Sequence, residues 1–214
     1  MNLLDRLEQY KPADEDERIS RDMSVQFIHT YRQAFDPALH YGHITASALL
    51  LNQDKTKFLL MRHTKLNKWV QVGGHCDGNR DVLAVALKEA AEESGIPLLE
   101  PITKALFDVE VYHVSQTFME PEHYHYDMRF LLKTVESDAL VKNHEAQELR
   151  WFSFDEHLPP LDHALLRLIE KTKAFVGYIP AQQPIDRTKT EEISRRKPFH
   201  VPTEMFGIDQ EPSA

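Results

Sequence analysis

The chain has 214 residues, of which 42% are apolar and 28% charged, a composition that suits one globular domain with a real core. Its formal net charge of −9 argues against nonspecific binding to nucleic acid or to an anionic membrane, and admits an anionic small molecule only where a local cation offsets the field. The single cysteine, Cys76, excludes an internal disulfide and fits a reducing compartment. MNLLDRLEQY lacks the pattern of a signal peptide and no apolar run approaches the roughly 18 residues of a membrane helix, so a cytoplasmic protein is expected.

Residues 1–41 read as a helical extension. LLDRLEQY sets Leu3, Leu4 and Leu7 on one face, and RDMSVQFIHTYRQAF spaces Met23, Phe27, Tyr31 and Phe35 by four, the period of a helical stripe. Such a stripe needs cover from the main domain or from a second copy, and a homodimer is expected on that ground. From residue 42 the period changes. HITASALLLN and KFLLMRH read as strands joined by a turn at Asn52–Lys55, and KWVQVGG as a third, short strand. A helix is predicted from Asp81 to Ser94, with Asp81 as N-cap and Gly95 just past its end. ITKALFDVEVYHVSQTF, HYHYDMRFLLKTV and ELRWFSF are rich in β-branched and aromatic residues and read as further strands. PLDHALLRLIEKTKAF reads as a closing amphipathic helix with Leu161, Leu165, Leu168 and Ile169 inward. Residues 180–214, with Pro180, Pro184, Pro198, Pro202 and Pro212 among charges, read as an extended arm or tail. This order predicts an α+β domain over 42–179, a mixed sheet sandwiched between helices in α/β/α layers.

The helix after residue 81 carries the chemistry. Leu83, Ala86, Leu87 and Ala90 form its apolar stripe, while Glu89, Glu92 and Glu93 lie on another face at i, i+3 and i+4. Like charges at that spacing cost a few tenths of a kcal/mol per pair, and the C-terminal half of a helix disfavours anions. Such a face is either solvated or it serves a hard divalent cation.

The run from Gly74 to Ile96 resembles the Nudix box, G-x5-E-x7-R-E-U-x-E-E-x-G-U with U apolar. Gly74 takes the first position and KEAAEESGI fits the second half. Trp69 stands before the glycines, and ELRWFSFDE resembles the last strand and turn of that family, so the resemblance covers about residues 42–175. Two positions depart from it: Arg80 stands for the first glutamate and Lys88 for the arginine. Both are cationic and cannot pair, so Asp77 or Asp81 is expected to brace Lys88. The resemblance implies a hydrolase of small-molecule phosphoanhydrides, with Glu89, Glu92 and Glu93 holding Mg²⁺ or Mn²⁺. It implies backbone of a Gly73–Gly74 loop close to metal and substrate, and a general base at Glu93, Glu145 or Glu148, with Glu92 as a further catalytic carboxylate. The alternatives are a nucleotide-sensing module without catalysis, and an isomerase of the isopentenyl diphosphate type using Cys76.

On a strand, HYHYDMRF presents His123, His125, Asp127 and Arg129 on one face and Tyr124, Tyr126, Met128 and Phe130 on the other. The second face is the expected core. The first is either solvated or lines the active cleft beside His75, where His125 and Arg129 could bind substrate phosphate, or the histidines could hold a transition metal.

Overall fold

Strand β1, Gly42–Leu51, is buried along its whole length and forms the axis of the sheet. The computed structural model describes residues 1–116 and 121–179. The expected arm over 180–214 and the end of the VYHVSQTF segment, residues 117–120, lie outside the described residues. The elements in order are α1 (Leu3–Gln9), α2 (Glu15–Thr30), β1, β2 (Lys57–His63), β3 (Trp69–Val70), β4 (Val72–His75), α3 (Val82–Ser94), β5 (Leu99–Pro101), β6 (Asp108–Val114), β7 (His123–Thr134), β8 (Ala146–Ser153) and α4 (His163–Phe175).

The sheet is mixed and curled. β1 and β2 pair only at their turn, Leu51 against Phe58, and then diverge. β2 continues with β3 and β8. β1 continues antiparallel to β4 on one side and parallel to β7 on the other, and β7 carries β5 and β6. One face of the β1–β7 pair presents Ile44, Ala46, Ala48, Tyr126, Met128 and Phe130 to a core shared with α1, α2 and α3. The small residues of TASA let α3 approach closely through Ala86 and Ala90. The opposite face meets α4 through Leu49, Leu51 and Leu131 at its apolar end.

Each helix starts on an Asx cap, whose side chain accepts from a backbone N–H that the helix leaves unpaired. Asp81 accepts from Ala84 N at 3.2 Å, as expected. Gly95 closes α3 in the left-handed region at φ 71°, and a Cβ there would lie 2.4 Å from Val141, so only glycine fits both the turn and its neighbour.

Two expectations are corrected. The stripe Met23–Phe27–Tyr31–Phe35 is broken, because α2 ends at Thr30 and Met23 is exposed. The buried side of α2 is instead Glu17, Ser20, Ser24 and Phe27, a mostly polar stripe that an apolar count misses. Leu161 packs on the α4 core from the segment before the helix, not from within it. The apolar residues Leu3, Leu7 and Phe27 are covered within the chain, so their burial requires no second copy.

The polar stripe of α2 has charged partners. Glu17 is fully buried and accepts from Lys171 at 2.6 Å and from Tyr10. Arg167 of α4 reaches Asp108 at 3.1 Å and Glu110 at 2.7 Å. Arg129 reaches Asp127 at 2.9 Å and Asp108 at 3.2 Å. This network joins α2, α4, β6 and β7, with acids and bases alternating through it.

Candidate active site

Gly73 and Gly74 lie in strand β4, not in a loop. Gly73 sits opposite Ser47 and Gly74 opposite Ala46 on β1. A Cβ on Gly73 would lie 2.3 Å from the Ser47 Cβ, and one on Gly74 would lie 2.6 Å from Glu89 Oε2. The two glycines therefore let β4 lie against β1 and let the Glu89 carboxylate lie against the strand. Gly73 also donates its N–H to Glu93 Oε2 at 2.7 Å. The strand and α3 are locked by the same carboxylates that the helix would otherwise hold apart.

Glu93 is 3% exposed. Burial pushes its carboxyl up to about 8 and the charges of Glu145, Glu89 and Glu92 push the same way, against the Gly73 hydrogen bond. Glu145, in the turn before β8, therefore joins the α3 glutamates through its field. Glu148 is brought less close: it stands exposed on β8 opposite Arg62, with no hydrogen bond or ion pair to the cluster. Glu92 is 58% exposed at its side chain and Glu89 17%. Lys88 pairs with Glu89 at 3.0 Å and Glu92 at 3.4 Å. The expected brace by Asp77 or Asp81 is not formed, because Asp81 is spent on the N-cap and Lys88 turns to the glutamates. Arg80 turns the other way. It donates to Arg32 O at 3.0 Å and lies over the Phe35 ring at 5.2 Å, while Gly78 N donates to Phe35 O at 2.8 Å. The segment after α2 thus braces the box loop in place of the usual glutamate.

Cys76 follows β4 and is 3% exposed. Burial, with Asp127, Asp77 and Glu89 nearby, pushes its thiol up to about 12. It is a protonated packing residue at neutral pH.

The HYHYDMRF face is not solvated. His123, Asp127 and Arg129 are buried. Arg129 is 4% exposed and spends its guanidinium on Asp127 and Asp108, which corrects the expected phosphate clamp. Asp127 also accepts from Thr45 at 3.0 Å, Ser47 at 2.8 Å and Gln71 at 3.2 Å. Past Asp127 the face changes to imidazole. His123 and His125 come together with His75, as expected, and with His43, which the sequence gives no reason to include. The ring of His43 lies 4.7 Å from His75, 5.0 Å from His123 and 4.7 Å from His125. Burial lowers His125 to about 2 and His43 to about 4, and the neighbouring histidines add to both shifts. His43 lies four residues along β1 from Ser47, about 13 Å at ~3.3 Å per residue. His43 therefore stands well away from the Gly73 backbone that Glu93 meets.

Residues 42–171 match the family described as NUDIX domain. A curated relative, the Probable DHNTP pyrophosphohydrolase of Lactococcus lactis subsp. cremoris, is 26% identical over 155 residues, covering 71% of this chain and 86% of its own length. Among solved structures, a C. elegans Ap4A hydrolase binary complex aligns with a TM-score of 0.51 at 21% identity, covering 63% of this chain and 97% of that one. The MutT protein from Methanosarcina mazei Go1 aligns with a TM-score of 0.47 at 19% identity, covering 65% and 99%.

Proposed function

The chain belongs to the Nudix family, and from that premise we propose that it is a divalent-metal-dependent pyrophosphohydrolase, cleaving a diphosphate linkage in a nucleotide or nucleoside diphosphate derivative. One observation carries this reading: Glu93 and Glu89 meet the Gly73–Gly74 backbone, the charges of Glu145 and Glu92 act on Glu93, and Lys88 pairs with Glu89 and Glu92. A donor set made only of carboxylate oxygens suits Mg²⁺ or Mn²⁺. Burial first, and then the repulsion of its neighbours, raises Glu93, and such a cation offsets both. Glu89, Glu92 and Glu93 are the residues that would hold it. When bound, the ion neutralises phosphate oxygens and lowers the pKa of bound water.

The chain's own groups do the remaining work. The Gly73 N–H fixes the Glu93 carboxylate in one orientation. Lys88 is exposed and exchanges its glutamate partners for substrate anion at little cost. Water attacks one phosphorus, the bridging oxygen leaves with the other phosphate, and the water's proton passes to a carboxylate. We assign that proton to Glu145, which is half-exposed with His144 3.8 Å away, whereas Glu93 is committed to Gly73. The three box glutamates argue against a sensor without catalysis, and the buried thiol of Cys76 argues against the isomerase.

The test is direct. The metal-free protein receives Mg²⁺ or Mn²⁺ and a panel of nucleoside triphosphates, ADP-ribose-like compounds and DHNTP, the compound in the relative's name. Release of a phosphate-containing product, abolished by EDTA, is expected for at least one. Binding of panel members without turnover in either metal would replace the enzyme with a sensor.

A further inference from the structure

The histidine group is left unexplained by hydrolysis at the glutamates. It lies on the other face of the sheet. Gly74 points its missing side chain at Glu89, and successive residues of a strand point to opposite faces, so His75 faces away from α3 toward His43. The register supports the same grouping: His43 sits opposite His125 on β7, and Thr45 opposite His75 on β4.

We propose that His43, His123 and His125 form a binding site for a transition-metal cation of the Zn²⁺ class, with its fourth position facing His75. One ring nitrogen from each of the three lies within 4.8 Å of the other two. A tetrahedral ion with Zn–N near 2.0 Å sets its ligand nitrogens about 3.3 Å apart, so modest ring rotations close the site. His123 Nε2 and His125 Nε2 are already 3.0 Å apart.

The outer nitrogens are anchored as metal-binding histidines require. His123 Nδ1 lies 2.9 Å from Pro121 O. A carbonyl only accepts, so Nδ1 carries the hydrogen and Nε2 of the neutral ring presents a lone pair inward. Without metal, His125 Nε2 must donate into the 3.0 Å contact, and its Nδ1 then accepts from Tyr112 Oη at 3.0 Å. With metal, the His125 proton moves to Nδ1 and the Tyr112 hydroxyl turns to accept it. Both arrangements are satisfied, so the pair accepts an ion without stranding a polar group.

His43 is the independent sign. It is 3% exposed, and among the described residues neither ring nitrogen has a hydrogen-bond partner. A buried imidazole set against two other imidazoles, with no hydrogen bond among the described residues, suits a metal ligand. A pocket of about 240 Å³ opens beside the group, lined by Leu39, His40, His43, His75, Pro121 and His123. It gives the ion an entry path and room for water or an anion at the fourth position. The ion would tie the start of β1 to the start of β7, independently of any reaction at the glutamates.

The experiment uses the full chain, stripped with EDTA, in its natural form and as a Glu89→Gln, Glu92→Gln, Glu93→Gln variant that lacks the carboxylate ligands. Each is titrated with Co²⁺ and then Zn²⁺. One equivalent of Co²⁺ giving the strong visible absorption of a four-coordinate nitrogen site is expected in both, displaced by one equivalent of Zn²⁺, with a rise in Tm. His43→Asn and His125→Asn should each lose that band and the Tm rise. Absence of the band from both the natural chain and the glutamine variant overturns the site, whether or not the histidine variants fold. So does a band that survives His43→Asn and His125→Asn. Inorganic phosphate serves as the control probe: histidine ring signals moved by phosphate and not by Zn²⁺ overturn the metal site in favour of an anion pocket.

Discussion

Arg129 on β7 and Glu93 on α3 are both buried titratable side chains, and their surroundings are opposite. Arg129 meets Asp127 and Asp108, while Glu17, Lys171, Arg167 and Glu110 extend the alternation of sign into α2 and α4. Glu93 meets Glu89, Glu92 and Glu145, and its one close partner is a backbone N–H. The first region balances its charge within the fold. The second leaves its charge unbalanced, which a fold tolerates where something from outside completes it. The histidine group belongs with the second kind: four imidazoles gathered together, two of them buried, and the ring of His43 without a hydrogen bond among the described residues. An unpartnered buried imidazole costs about 1–3 kcal/mol, so its retention asks for a reason other than stability.

The contrast is broken most sharply at Arg129. Truncation to Ala strands Asp127 and Asp108 in the interior, and breaking a buried pair costs about 3–5 kcal/mol. For a chain of this size that is about 6–20 °C in Tm. The turnover per folded molecule should stay as it was, because the guanidinium is buried and paired with Asp127 and Asp108. Thermal melts beside kcat/KM decide the matter. An unchanged Tm with a raised KM would restore Arg129 as a phosphate clamp.

At the glutamates the expectation inverts. Glu93→Gln keeps the shape and the Gly73 contact but removes a charged ligand, and hydrolysis should fall at least about 100-fold, with the fold intact by circular dichroism. Natural turnover in that variant would remove the carboxylate cluster from the mechanism. The same residue sets a smaller effect on stability. Its folded-state carboxyl sits near 8, above the value of 4.5 that an unfolded chain shows. Between those values the native state holds more protons than the unfolded one, so stability falls as pH rises. The metal-free protein should therefore lose Tm from about pH 4.5 to 8, and Glu93→Gln should flatten that decline. A slope equal in both proteins would mean that Glu93 is not the titrating group.

Much of this molecule is legible locally. Alternation marks HYHYDMRF of β7, apolar runs and aromatic residues mark β1, β2 and β8, Asp81 and Gly95 bound α3, and the box glutamates stand out by spacing. Burial of the HYHYDMRF face does not, because it depends on pairing between strands that are distant in the chain: Thr45 and Asp127 bond across 82 residues. Only the parallel β1–β7 register places His43 beside His125, and no local pattern signals it. Glu17, Ser20 and Ser24 look like a solvated helix face until Lys171 and Arg167 arrive from the other end of the domain. Arg80 and Lys88 look like a clash of two cations until the chain after α2 supplies a carbonyl and a ring for one and the glutamates take the other.

The smallest effect is expected at Cys76, and it separates the hydrolase from the isomerase reading. The residue is as near to the Nudix-box glycines as a catalytic thiol would need to be, directly after His75. Yet it shares the apolar core with Val82 and Phe35, and burial holds the thiol protonated up to about 12. A thiol in that state is a poor nucleophile and a poor proton donor near pH 7. Cys76→Ala removes one small buried group, worth about 1 kcal/mol of stability by analogy with other small core truncations, and should leave kcat and its metal dependence unchanged. Alkylation of the natural protein by iodoacetamide should be slow until the protein is unfolded. Rapid labelling of the folded chain together with loss of turnover in Cys76→Ala would place the thiol at the reacting atoms and the glutamates in a supporting role.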